Sequence, residues 1–113
     1  MKLDPDRRQE AREIATELAK IARTGQVLPG SITERHTRCG KPGCACQADP
    51  PRPHGPYWQW TRKVAGKTIT RRLTTEQSDR YRSWIENDRR IRELITRLEA
   101  IAIAQLETAH RDD

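Results

Sequence analysis

Apolar residues recur at helical spacing near both ends of the chain and at strand spacing in the middle. Near the start, Ala11, Ile14, Ala15, Leu18, Ile21 and Ala22 fall three and four residues apart, which lines one side of a helix. Asp4 is a good N-cap, and Pro5 stands at the first helical position, where a missing N–H costs nothing. Arg7, Arg8, Arg12 and Glu13 lie off the stripe. Gly25 ends the pattern and Pro29-Gly30 starts a turn. The spacing predicts a helix over 4–24.

Towards the end, Tyr81, Trp84, Ile85, Ile91, Leu94, Ile95, Leu98, Ile101, Ala102 and Leu106 form a second stripe. Thr74 or Thr75 caps it, with Glu76 in the first turn. The predicted helix, 75–110, is about 50 Å long at 1.5 Å per residue. That exceeds what a small monomeric domain covers. Its first part is expected on the sheet. Its second part needs a partner, for which the N-terminal helix and a second copy of the chain are both candidates. Ile91 to Ile101 has heptad character.

In the middle the period becomes two. Ser31–Arg38 is rich in β-branched residues and reads as a strand. Tyr57–Arg62 and Lys67–Leu73 read as a hairpin around Val64-Ala65-Gly66, where Gly66 supplies the positive φ of a tight turn. With Arg62 opposite Ile69, one face presents Trp58, Trp60, Ile69 and Leu73. The other presents Tyr57, Gln59, Thr61, Lys63, Thr70 and Arg72. The expected fold class is α+β: an N-terminal helix, a small three-stranded antiparallel sheet with a zinc-stapled turn, and a long C-terminal helix. Residues 1–113 are expected as a single domain with the β-unit at 31–73.

Composition adds a constraint. Only 34% of the 113 residues are hydrophobic and there is no Phe. A core this thin often needs a metal, a disulfide or a partner chain. The three tryptophans therefore read as packing residues rather than as platforms for nucleic-acid bases.

The staple is legible between Cys39 and His54. All three cysteines fall in Cys39-Gly40-Lys41-Pro42-Gly43-Cys44-Ala45-Cys46, and His54 follows a loop containing Pro50, Pro51 and Pro53. Three thiolates and an imidazole form a standard tetrahedral zinc set. The Gly- and Pro-containing turn folds the backbone so that two sulfurs can face one ion. Cys39, Cys44, Cys46 and His54 are the expected ligands of a structural Zn²⁺. His36 is the other candidate for the fourth position, and His110 reads as solvated. A redox role for Cys44 and Cys46 is the rival chemistry, but attacking thiols normally sit at a helix N-terminus, and the sequence predicts no helix there. A catalytic zinc would need an open position and a nearby base, and Asp49 is the only acid close by.

Net charge is +6, which points to an acidic partner. From Ser31 to Leu73 the only acids are Glu34 and Asp49. Arg35, Arg38, Lys41, Arg62, Lys63, Lys67, Arg71 and Arg72 are therefore the candidate nucleic-acid contacts, beside His36 and Arg52. Arg, Gln and Thr on a β-ribbon can reach phosphates and base edges. The bland alternative is a charged edge that deters sheet aggregation.

The odd cysteine count and the polar start imply reduced thiols, a cytoplasmic location and no membrane segment. No Ser/His/Asp set, phosphate-binding Gly loop or paired acids point to an enzyme.

The Cys39–Cys46 block, His54-Gly55-Pro56-Tyr57-Trp58 and the Gly-turn hairpin resemble a family of small uncharacterised prokaryotic proteins. That family shares a Cys-Gly-Lys-Pro-x-Cys-x-Cys…His-Gly-Pro-Tyr signature followed by a long charged helix. The resemblance spans roughly Gly30 to Leu98. It implies zinc binding and, through some members, an association with mobile elements, but no activity. A three-stranded sheet followed by a helix is also similar to small DNA-binding modules of integrases, at the level of fold alone. The combined expectation is a zinc-stabilised nucleic-acid-binding homodimer, with DNA favoured over RNA. The alternative is a zinc-stabilised accessory subunit that docks on a protein through its long helix.

Overall fold

The structure is a computed structural model and describes residues 4–112. Its elements are α1 (Pro5–Thr24), β1 (Ser31–Thr37), β2 (His54–Val64), β3 (Lys67–Leu73) and α2 (Thr75–Asp112). A single 3-10 turn, Ala45–Gln47, lies between β1 and β2. The contacts divide the chain into two compact units. One joins the stretch up to Leu28 to the stretch from Glu86, and the other is Pro29–Ile85.

The first unit is a pair of antiparallel helices. The Asp4 carboxylate accepts the Arg7 N–H at 2.9 Å, with Pro5 at the first helical position. The N–H of Gly25 closes the last turn on the Ile21 carbonyl, 3.1 Å away. Ile14, Leu94 and Ile101 are buried, and Ala11, Leu18, Ile21 and Leu98 pack against them. Arg90 pairs with Glu17, its Nη2 standing 2.8 Å from Oε1, and Arg97 pairs with Glu10 at 3.3 Å. Rising numbers on α1 thus meet falling numbers on α2. The buried seam is narrower than the apolar stripes. Ala15, Ala22 and Ala102 are exposed, and so are Ile95 and Leu106. One partner helix covers only the residues that face it.

The second unit is built on the sheet β1-β2-β3, antiparallel throughout. Arg62 stands opposite Ile69 and Trp58 opposite Leu73, as the alternation predicts. The β2–β3 turn is Ala65-Gly66, both with positive φ (50° and 81°), the twist that two-residue hairpin turns demand. Strand β2 starts earlier than expected, at His54, and takes in Gly55-Pro56. Pairing slips there, between Arg35↔Tyr57 and Thr37↔His54. That irregularity accommodates a proline with no N–H to give to the ladder.

Thr74 opens α2 with a reciprocal cap. Its Oγ1 accepts the Gln77 N–H at 3.1 Å, and its own N–H donates to Gln77 Oε1 at 2.9 Å. Arg82 then lies 4.7 Å over the Trp58 ring, which sets the first turns of α2 on the Trp58 face. Leu73 and Ile85 are buried in this unit, while Trp58 and Trp84 are half-buried. No helix among the described residues is long and apolar enough to cross a membrane.

Candidate metal centre

Strand β1 runs directly into Cys39, and strand β2 begins on His54. Their antiparallel pairing at Thr37↔His54 brings the two ends together. The intervening chain folds back twice. The Cys44 N–H bonds the Lys41 carbonyl at 3.3 Å, closing the turn around Pro42-Gly43. The N–H groups of Ala48 and Arg52 then both bond the Ala45 carbonyl, at 3.1 and 3.0 Å.

The result is one cluster. The ligand atoms of Cys39, Cys44, Cys46 and His54 all lie within 4.8 Å of one another. Cys39 Sγ is 3.5 Å from Cys46 Sγ, and Cys44 Sγ is 3.3 Å from His54 Nε2. A tetrahedron with bonds of about 2.3 Å has edges of about 3.8 Å, slightly less where nitrogen replaces sulfur. The two closest separations fall a little inside such edges and the widest a little outside them, and soft thiolates with an imidazole suit a borderline metal. The four residues can hold a metal ion. His36 is not part of the group. It is exposed, with Nε2 3.3 Å from Glu34 Oε1. The His110 side chain lies outside the described residues.

Backbone donors already favour thiolate here. The Cys39 thiol is drawn down from 9.0 to about 6, first by the Lys41 N–H, then by hydrogen bonds from His54, Cys44 and Cys46. At Cys46 the Cys39 N–H, 3.3 Å from the sulfur, also acts downward. Burial and the neighbouring Cys44 and Cys39 sulfurs outweigh it, so that thiol is pushed up. Cys46 is fully buried, whereas Cys39 and Cys44 are half-buried. Gln47 donates its side-chain N–H to the Cys39 carbonyl, an outer contact that sequence reasoning missed. Only its position, one residue past the last thiol, hinted at it. The absence of a helix after the thiols also needs correction. Cys44 precedes the three-residue turn Ala45–Gln47, which is too short to carry the dipole of a reactive-thiol site.

The strand register sorts the basic residues. Arg35, Lys63 and Arg72 share one face with Tyr57, Gln59, Thr61 and Thr70. Arg72 lies 3.6 Å over the Tyr57 ring, and Arg35 Nε donates to Gln59 Oε1 at 3.3 Å. Arg62, Lys67 and Arg71 project from the opposite face, with Arg62 5.1 Å from the Trp60 ring. Arg38 and Lys41 stand outside the strands, exposed on the approach to the cluster and in its first turn. The eight candidates therefore do not make one surface.

Residues 5–83 match the family model described as a domain of unknown function, DUF6788. The chain belongs to the DUF6788 family. The DUF6788 match takes in α1, the whole sheet and all four residues of the cluster, and it ends within α2. No curated protein matches the chain, and no solved structure does.

Proposed function

We propose that this DUF6788 protein binds double-stranded DNA with the Arg35–Lys63–Arg72 face of its sheet, and that a zinc ion at the Cys39–Cys44–Cys46–His54 cluster holds the sheet in shape. The observation that carries the reading is the composition of that face. Arg35, Tyr57, Gln59, Lys63, Arg72 and the threonines between them lie on it, and it has no acid. The only strand acid, Glu34, sits opposite Trp58 on the other side. Three cations supply phosphate attraction, while Gln59 and the arginines have the donor geometry to read base edges. A β-ribbon fits the major groove.

The ion has a structural role in this reading. Cys39, Cys44, Cys46 and His54 would supply all four ligands such an ion takes in a structural site, which would leave no position for a reacting water. The chain is a binding protein, not an enzyme.

Titration of a labelled duplex at graded salt tests the assignment. Changing Arg35, Lys63 and Arg72 together to Ala should weaken binding and flatten the log–log salt slope by about 2.7, from ~0.9 per lost phosphate contact. Changing Arg62, Lys67 and Arg71 together should do much less. Full, salt-sensitive binding by the first triple variant, or no duplex binding by the natural chain, would overturn the assignment. Tighter binding to RNA than to the duplex would replace DNA as the ligand.

A further inference from the structure

The helix pair has two unlike flanks. Its seam is Ala11, Ile14, Leu18 and Ile21 on α1, with Leu94, Leu98 and Ile101 on α2. In an antiparallel pair, residues one position before the seam on both helices share a side, and those one position after it share the other. The first side holds Glu10, Glu17, Arg90, Glu93 and Arg97, tied together by ion pairs. The second holds Ala15, Ala19 and Ala22 from α1, facing outward. From α2 it holds Ile95, 45% exposed, then Ala102, and Leu106, 56% exposed.

We infer that this apolar flank is the interface of a homodimer, in which α1 of one copy packs on α2 of the other to complete a four-helix bundle. Three features of the flank favour a second copy as its occupant. The first is size. The apolar positions of the α1 flank are all alanines, whereas those of α2 include Ile95 and Leu106, so small meets large when the flank meets itself in the crossed sense. Such large-on-small contact is how bundle layers interdigitate.

The second is charge. Arg12 and Glu99 also fall one position after the seam, one on each helix, and both are exposed. Neither side chain is ion-paired among the described residues. Pairing α1 with α2 of a second copy brings opposite signs to the same contact, which is self-complementary under a two-fold axis.

The third is extent. Helix α1 has 20 residues, about 30 Å. Two helices roughly 10 Å apart present a face of about 600 Å² before side chains interdigitate, of the order of the ~800 Å² per partner in stable interfaces. The seam by itself buries only Ile14, Leu94 and Ile101, so the second layer also thickens a sparse core.

Sedimentation equilibrium of the full chain, metal-loaded and reduced, tests the inference. The natural chain should sediment at twice the 13.1 kDa chain mass. The double variant Ile95→Glu/Leu106→Glu should sediment as a monomer with unchanged helical circular dichroism, because both positions are exposed in the single chain. Arg12→Glu should weaken the dimer, and adding Glu99→Arg should restore it. A natural chain that stays monomeric, leaving the flank to a different protein, would overturn the inference, as would a double variant that stays dimeric. Failure of the charge swap to restore association would overturn the α1-on-α2 pairing. These outcomes are independent of whether the sheet binds DNA.

Discussion

The Sγ of Cys44 lies 3.3 Å from Nε2 of His54, across a loop containing three prolines. That contact closes the cluster and selects one histidine for the fourth position. His54→Ala should therefore lower metal affinity by more than the ~10–100-fold that loss of an outer partner costs. His36→Ala should leave it unchanged, because that imidazole faces Glu34. Competition with a chromogenic chelator measures both, and equal effects would contradict the assignment.

The metal-free chain should lose stability as the pH falls from about 9 to about 6. The folded Cys39 thiol titrates at about 6 and an ordinary thiol at 9.0. Between these values the folded state binds fewer protons than the unfolded state. The contribution is complete above the higher value and gone below the lower one. Cys46 is shifted upward, so it acts in the opposite sense and removes stability as pH rises through the unfolded thiol range. Urea unfolding of the chelated, reduced protein should show the Cys39 slope, and Cys39→Ser should flatten it.

Leu94→Ala should destabilise the helix pair by about 2–5 kcal/mol, since Leu94 is 0% exposed and its loss leaves a cavity. Ile103→Ala, nine positions on along the same helix at 54% exposure, should stay within about 0.5 kcal/mol. Denaturant midpoints of the two variants make the comparison at constant chain concentration.

Gly30→Ala should cost about 1–3 kcal/mol. Its φ is +97°, and an added Cβ would collide with the Thr61 carbonyl and crowd Trp60 Nε1. That indole N–H bonds the Pro29 carbonyl at 2.8 Å, so the substitution should also disturb the environment of Trp60. Thermal melts followed by tryptophan fluorescence would register both effects.

Much of this was legible in the sequence because local chemistry dictated it. Asp4-Pro5 reads as a helix start and Thr74 or Thr75 as a cap, while Gly66 marks the hairpin turn. The alternation alone leaves the register open to a one-residue slip, and the strand pairing sets Arg62 opposite Ile69. The dense thiols and His54 announced the cluster, since a polar, proline-laden segment offers few other tasks for cysteines. Other features depend on neighbours distant in sequence. Arg90 and Glu17 are 73 positions apart, and no local pattern pairs them. Ile95 and Leu106 belong to the apolar stripe by spacing, yet a single covering helix leaves them bare. Nearness along the chain groups the basic residues together, whereas successive strand side chains point to opposite faces and separate Arg35, Lys63 and Arg72 from Arg62, Lys67 and Arg71.

Elemental analysis of the purified, reduced chain, before and after strong chelator, tests the central claim most directly. One zinc per chain is predicted, with loss of sheet structure when it is stripped. A chain carrying no transition metal, or one whose sheet is unchanged after the ion is removed, would contradict it.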